Sequence, residues 1–267
     1  MQALTNVILL AILQGVAEFL PVSSSGHLII ASDLLGFTPP GVRLETMLHC
    51  GTLLAVCFYY RHRLWALLAG AARRERAACR EAGLLLLASL PIVAVYLAAH
   101  ARIEAIYENS RFAAAMLLVT GLLLLSLQVR RRTAGEAAAR RTVTLVWWRA
   151  LAIGLAQAVA ILPGISRSGA TIATARHLGI EPRRAADFSF LMSVPPLLGA
   201  VLLHGLRPEA AGASAVGWGS LGIGVGVAAV VGYASIRLLM RTLASGRFWL
   251  FGVYCLLAGG VVLLGGL

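Results

Sequence analysis

The sequence predicts an all-α polytopic membrane protein whose two halves have inverted topology, each with one re-entrant helical hairpin and three transmembrane helices. Composition is the first observation: 59% of the 267 residues are hydrophobic and only 13% are charged, against roughly a quarter in soluble domains. Six apolar segments are expected to cross a bilayer, although the first of them is short unless it begins inside the preceding polar region. Two further apolar segments are interrupted, each by a Leu-Pro pair followed by a Ser/Gly cluster.

The interrupted segments cover residues 4–36 and 148–181. Proline and glycine break helices, so each segment is expected to form two half-helices that meet at membrane depth. Irregular backbone is tolerated there only where it is buried in protein or lines a wet cavity. The continuous spans are expected at residues 46–60, 83–100, 111–128, 186–204, 217–238 and 247–266.

Arginine-rich loops predict the orientation in the membrane. Residues 61–82 contain six arginines and residues 129–146 contain five, so these loops and the turn at 237–247 are expected on the cytoplasmic side. The loops at 101–110 and 205–216 are poor in arginine and are expected outside. The first hairpin then starts and returns on the outer side, and the second on the inner side. We attribute the net charge of +12 to the same loop bias and expect no nucleic-acid partner.

An internal duplication relates the two halves. The first repeat covers about residues 1–128 and the second about residues 147–267, with a cytoplasmic loop at about 129–146, all within one membrane domain of residues 1–267. The matched positions, 142 or 143 residues apart, are Gln14 with Gln157, Leu20-Pro21 with Leu162-Pro163, Ser23 to Gly26 with Ser166 to Gly169, and Glu45 with Asp187. Inverted repeats with broken helices place their site at the repeat interface, near the membrane midplane.

The first break carries polar groups that are costly in hydrocarbon. Gln14 and Glu18 are four residues apart, so they share one face of the first half-helix and are expected to point at a common cavity. His27 follows the break and is a candidate catalytic residue, since imidazole is the commonest general acid or base. The alternative for Glu18 is a structural carboxylate bonded to a neighbouring helix.

Hydroxyl groups surround both breaks. Ser23, Ser24 and Ser25 precede or begin the second half-helix, whose free N–H groups and dipole suit an anion. At least one of these serines is expected to cap that helix.

The second break contains Arg167, whose planar fork suits phosphate and which needs an anionic partner at membrane depth. Ser166, Ser168 and Thr171 add hydroxyl donors around it. The alternative is a buried ion pair between Arg167 and Glu18 that holds the repeats together, and both roles are compatible. Together the two breaks predict a phosphate site inside the bilayer, and therefore a lipid phosphate or diphosphate as ligand.

These motifs resemble those of the bacterial undecaprenyl-diphosphate phosphatase family, which is also known for bacitracin resistance. The resemblance is carried by Gln14-x-x-x-Glu18, by Phe19-Leu-Pro-Val-Ser-Ser24 with Gly26-His27, and by Pro163-Gly-Ile-Ser-Arg-Ser-Gly-Ala-Thr171. With length and span layout, it extends over effectively the whole chain. Many members of the family have Glu at the position of Gln14, so Gln14 is expected to be a weak metal ligand.

The resemblance implies a divalent-metal-dependent hydrolase of the bacterial cytoplasmic membrane, with a site open to the outer, periplasmic side. It would convert the C55 lipid diphosphate to the monophosphate, which recycles the carrier for cell-wall polymer synthesis. Arg167 and the hydroxyls would hold the diphosphate, and Glu18 with Gln14 or the diphosphate would hold Mg²⁺ or Ca²⁺. His27 would act as nucleophile or as base on a water.

A second class of function is a transporter or flippase of a phosphorylated polyprenyl lipid, because inverted repeats with broken helices are a transporter architecture. In either class the partners are membrane lipids. The glycines at 222, 224 and 226 are expected to permit close helix packing, and this face is a candidate homodimer contact.

Overall fold

The computed structural model describes residues 2–34, 36, 41–107, 109–139, 143–205 and 217–265, and in these residues the chain forms helices and no strand. This confirms the all-α membrane class. The eleven helices in these ranges are α1 (Gln2–Ala17), α2 (Ser24–Leu34), α3 (Gly41–Tyr59), α4 (Arg61–Ala72), α5 (Arg76–Ile106), α6 (Ser110–Ala139), α7 (Trp147–Val159), α8 (Arg167–His177), α9 (Pro182–Gly205), α10 (Trp218–Ala244) and α11 (Trp249–Leu264).

Both interrupted segments form two half-helices with an irregular break, as predicted. The α1–α2 break contains Ser23 with a positive φ of 70°, an uncommon conformation for a residue with a Cβ. The α7–α8 break contains Gly164 with a φ of 92°. A Cβ at Gly164 would collide with the carbonyl oxygen of Ala113, so both backbone angle and space require glycine there.

The six predicted spans lie in α3, α5, α6, α9, α10 and α11. The segments long and apolar enough to cross a membrane are Arg76–Ile103, Ser110–Val129, Pro182–Leu203 and Trp218–Ala244, while Leu44–Tyr59 and Trp249–Leu264 are shorter apolar helices. The structure adds α4, which lies in the first arginine-rich loop and which the hydropathy pattern does not single out.

Helices of the two predicted repeats pack on one another. Helix α1 packs on α10, α7 packs on α5, α3 packs on α9 and α10, and α6 packs on α11. Small residues permit the close contacts: a Cβ at Gly15 would lie 2.8 Å from Cβ of Val231, and a Cβ at Gly154 would collide with the carbonyl oxygen of Ala88. The core therefore lies between the repeats, and the inversion of one repeat relative to the other stays a prediction.

Some residues behind the predicted orientation lie outside the described part of the chain. They are the side chains of the arginines in the 129–146 loop and most of the 205–216 loop. At the candidate dimer face, Gly224 packs against Val7 and Leu48, whereas Gly222 and Gly226 face open space. Orientation and the homodimer stay predictions.

Candidate active site

The two breaks meet in the middle of the fold. A Cβ on Gly26 would lie 3.0 Å from Cα of Gly164, so the α2 N-terminus touches the second break. In the other direction, Ser168 Oγ donates a hydrogen bond to the Leu20 carbonyl at 3.2 Å. Because both helices begin at this contact, their positive N-terminal ends converge on one region.

Capping hydroxyls start both half-helices. Ser166 Oγ accepts a hydrogen bond from the Gly169 backbone N–H at 3.0 Å, and Ser23 Oγ accepts one from the Gly26 N–H at 3.3 Å. Each satisfies an N–H that the helix itself leaves unpaired. One serine of each cluster is therefore a cap, as expected for the first cluster.

The Glu18 carboxylate is the centre of the site. The residue is 6% exposed, and its Oε1 accepts a 2.6 Å hydrogen bond from Arg167 Nη2. Its Oε2 accepts from Ser24 Oγ at 2.7 Å and from Gln14 Nε2 at 3.1 Å. The predicted ion pair between Glu18 and Arg167 is present, and it joins the two breaks. A buried carboxylate needs such partners because desolvation alone would make the charge prohibitively costly.

A cavity of about 390 Å³ opens beside this cluster. Part of its polar lining comes from the two breaks and the helix ends beside them, and this part includes the predicted site residues Glu18, Ser23, Ser24, Ser25, Ser166 and Arg167. Its apolar lining comes from α5 and α9 and includes Ile92, Val93, Leu97, Leu197 and Leu203. A mixed lining of this kind fits a ligand with a polar head and an apolar chain.

His27 does not line this cavity. Its Nδ1 lies 2.8 Å from the Ser23 carbonyl, which can only accept, so Nδ1 carries the proton. Its Nε2 lies 2.7 Å from the Tyr254 hydroxyl, and the two rings stack with centroids 5.6 Å apart. Both ring nitrogens are therefore engaged, and the imidazole anchors the first break to α11.

Three other predicted site residues lie behind the cavity wall. Gln14 bonds Glu18 and also lies 3.0 Å from Nδ1 of His49. Ser168 Oγ bonds the Leu20 carbonyl, and Thr171 Oγ1 lies 2.6 Å from Oγ of Ser189 and donates to the Arg167 carbonyl at 2.7 Å. These groups support residues that line the cavity.

Sequence reasoning missed several cavity-lining side chains: Glu45, His49, Tyr107 and Gln157. His49 Nδ1 lies 3.7 Å from Oε2 of Glu18, and Glu45 is one helical turn before it on α3. The i, i+4 spacing of Glu45 and His49 within an apolar span is a signal that could have identified these two residues from the sequence.

Tyr107 follows α5 and closes one side of the cavity. Burial raises the pKa of its phenol, and the Glu45 carboxylate acts in the same direction. The hydroxyl therefore stays protonated, and it donates a hydrogen bond to the Ile161 carbonyl at 3.1 Å. This bond ties the end of α5 to the second break.

The donor set fits a divalent cation only in part. Over the described part of the chain, no three His, Cys, Asp or Glu side chains are grouped to hold a metal. Glu18 and Glu45 nevertheless line one cavity, and Gln14 Oε1 is buried without a partner among the residues that the structure describes. Mg²⁺ commonly binds one or two carboxylates together with substrate phosphates. The residues present therefore fit such a cation only where phosphate oxygens complete its ligand set.

The fold and the cavity define a polytopic membrane protein with a charged site enclosed between two broken helices. The family model of the bacitracin resistance protein BacA matches residues 7–261, and the chain belongs to this family. This confirms the resemblance identified from the two motifs.

Curated relatives match nearly the whole chain. The undecaprenyl-diphosphatase of Rhodopirellula baltica is 39% identical over 267 residues, covering 99% of this chain and 98% of that protein. Those of Syntrophotalea carbinolica and Desulfosudis oleivorans are 40% and 37% identical, each covering 96% of both chains.

Proposed function

We propose that this protein hydrolyses undecaprenyl diphosphate to undecaprenyl phosphate and inorganic phosphate, and so recycles the lipid carrier of cell-wall polymer synthesis. The observation that carries the proposal is the cavity-lining Ser24–Glu18–Arg167 cluster, in which one carboxylate bonds a hydroxyl at 2.7 Å and a guanidinium at 2.6 Å. The relatives named as undecaprenyl-diphosphatases support hydrolysis over transport of the same lipid.

In the proposed mechanism Ser24 is the nucleophile and Glu18 its base. The hydroxyl already donates to Glu18, which is the geometry of an activated nucleophile whose base is oriented by a third group, here Arg167. Ser24 Oγ bonds the terminal phosphorus, its proton passes to Glu18, and the bond to the bridging oxygen breaks, which releases undecaprenyl phosphate. Glu18 returns the proton to the leaving phosphate. It then accepts a proton from the water that attacks the phosphoserine. The bond between phosphorus and Ser24 Oγ breaks, inorganic phosphate is released, and Glu18 returns this proton to Ser24 Oγ.

Charge stabilisation comes from groups that converge on the cavity. Arg167 and the hydroxyls of Ser166, Ser23 and Ser25 would bind the diphosphate oxygens. The N-termini of α2 and α8 add their dipoles. Phosphoryl transfer depends mainly on such positioning and charge neutralisation, so a preformed pocket of donors is what the reaction requires.

We further propose Mg²⁺ or Ca²⁺ as cofactor. Glu18 and Glu45, with oxygens of the diphosphate, would hold the ion, and Gln14 would be at most a weak ligand. When bound, it supplies Lewis-acid polarisation and charge neutralisation at the phosphoryl group. His49 contacts the Glu18–Gln14 pair and would limit the positions open to the ion.

The prenyl chain would leave the cavity between α5 and α9, where the lining is apolar. A diphosphate anchored at the breaks would place its tail along these helices, in contact with the hydrocarbon of the membrane. The loop charges favour an opening toward the outer side of a bacterial cytoplasmic membrane, and that orientation is part of the proposal.

The test uses the purified protein in detergent with undecaprenyl diphosphate and Mg²⁺. Release of inorganic phosphate without any membrane gradient is expected from the wild type. Loss of this release in Glu18→Ala and Arg167→Ala is expected as well. Binding of the lipid without phosphate release would favour the transporter instead.

A further inference from the structure

Gln157 is a buried residue of the site whose side-chain amide has no hydrogen-bond partner among the described residues. It lies on α7, is 1% exposed and lines the cavity beside the second break. Neither its Nε2 nor its Oε1 has a hydrogen-bond partner among the described residues. No described group of the protein therefore compensates for the burial of this amide.

Its counterpart in the first repeat is bonded through its amide nitrogen, although its Oε1 also has no partner among the described residues. Gln14 stands 143 positions earlier, and its Nε2 donates to Glu18 and contacts His49. The two glutamines therefore occupy matched positions before the two breaks, but only Gln14 is bonded to the protein through its amide nitrogen. An apolar side chain of the same size at position 157 would avoid the cost of burying an unpaired amide. Fold stability therefore does not account for glutamine there.

The side chains that line the cavity together with Gln157 indicate which ligand would bond to its amide. Ser166 and Arg167, from the same hairpin, line the same cavity, and both are donors suited to phosphate oxygens. Gln157 lines the same cavity, so its amide N–H would add a neutral donor to a charged one. Unlike another arginine, it does so without perturbing the buried pair between Arg167 and Glu18.

We propose that Gln157 binds the substrate diphosphate, with its Nε2–H donating to a phosphoryl oxygen. This assignment rests on the proposed phosphatase function and adds a substrate-binding residue to it. A phosphoryl oxygen would supply the hydrogen-bond partner that the described residues of the protein do not. Hydrogen bonds to charged groups are stronger than those between neutral groups. Loss of the bond from Gln157 to the phosphoryl oxygen is therefore expected to weaken the affinity for the diphosphate about 10- to 100-fold.

The test compares Gln157→Met with the wild type and with Gln128→Met. Methionine has a similar length and no strong hydrogen-bonding atom. Gln128 is half-buried on α6 and does not line the cavity, so the control makes the same chemical change away from the site. The probe is a methylene-diphosphonate analogue of a prenyl diphosphate, whose Kd does not depend on turnover. KM for undecaprenyl diphosphate and the thermal midpoint are measured in parallel.

We expect Gln157→Met to raise Kd and KM about 10- to 100-fold while the thermal midpoint of the free protein stays the same or rises. Gln128→Met should leave both constants at the wild-type values. Wild-type Kd in Gln157→Met would overturn the inference, and so would a lowered thermal midpoint with unchanged Kd, which indicates a structural amide. A wild type that binds the analogue but releases no phosphate would instead refute the proposed function.

Discussion

Breaking the buried ion pair between Glu18 and Arg167 should affect folding and turnover separately. In Arg167→Met the Glu18 carboxylate keeps Ser24 and Gln14 as donors but loses the charged partner at 2.6 Å. Its side chain is only 5% exposed, so water can replace that partner only in small part. Removing one member of a buried pair costs about 3–5 kcal/mol, and the same range applies to Glu18→Met, which strands the guanidinium.

The double variant Glu18→Met/Arg167→Met removes both charges at once. Replacing a buried pair by apolar groups is often neutral, so the double variant should lose far less than the sum of the single variants. The expected coupling is about 3 kcal/mol or more. Unfolding free energies in mixed micelles give the cycle, and phosphate release is assayed on the same samples. All three variants should be inactive, because turnover needs both the carboxylate and the guanidinium. Folding tolerates the loss of both charges, since it requires only that neither is buried without the other.

An exposed pair of the same length is the control. Arg63 Nη2 lies 2.6 Å from Glu81 Oε1, but the two side chains are 41% and 38% exposed. Glu81→Gln should therefore cost less than about 1 kcal/mol and leave phosphate release intact. Strict additivity of the Glu18 and Arg167 losses would show that the pair does not couple the halves. Wild-type phosphate release by either single variant would refute the site itself.

The remaining predictions concern the nucleophile, the histidine and the cation. Ser24→Ala should lower phosphate release by orders of magnitude and should also cost about 1–3 kcal/mol of stability, because the buried Glu18 carboxylate loses a donor. Ser25→Ala should lower phosphate release only about 10-fold, the scale of one hydrogen bond. Activity close to wild type in Ser24→Ala would exclude Ser24 as nucleophile. Tyr254→Phe removes one hydrogen bond from His27 and should cost about 1 kcal/mol of stability. The rate of phosphate release should fall at most tenfold. A trapped phosphohistidine at His27 would contradict the role of this imidazole as an anchor of the first break. Chelation with EDTA should stop phosphate release, and Mg²⁺ or Ca²⁺ should restore it, while the thermal midpoint of the free protein stays constant, because the cation would bind chiefly with the diphosphate.

Hydropathy and helix breakers predicted most of the fold. Both broken segments and all six spans lie where the apolar runs and the Leu-Pro pairs place them, because backbone hydrogen bonding inside a bilayer leaves few alternatives to helix. Helix α4 was not predicted, because its arginines lower its mean hydropathy and a hydropathy scale detects only apolar helices. The partner of each helix was also beyond prediction. Contacts such as that of Gly154 with Ala88 depend on surface shape more than on composition.

The central charges of the site were predictable for a physical reason. A carboxylate and a guanidinium within apolar segments each require an opposite charge, and Glu18 and Arg167 were candidates for one another. The environment of His27 was not predictable, because its partner Tyr254 is 227 residues away and local spacing carries no information about it. Gln157 escaped for a similar reason. Its unpaired state is visible only when every neighbour is in place.

The ion pair joins Glu18 of the first break to Arg167 of the second. Assembly of the fold and assembly of the site are therefore linked. Neither half alone can bury its charge without cost, so docking of the halves and formation of the catalytic cluster are stabilised by the same 2.6 Å contact. Substrate then disturbs this balance. A diphosphate brings negative charge next to Glu18, and Arg167 neutralises only one charge while it is paired there. The cavity therefore needs further donors and further positive charge when it is filled. The unpaired amide of Gln157 meets the first need, and a divalent cation bound with the substrate is the expected answer to the second.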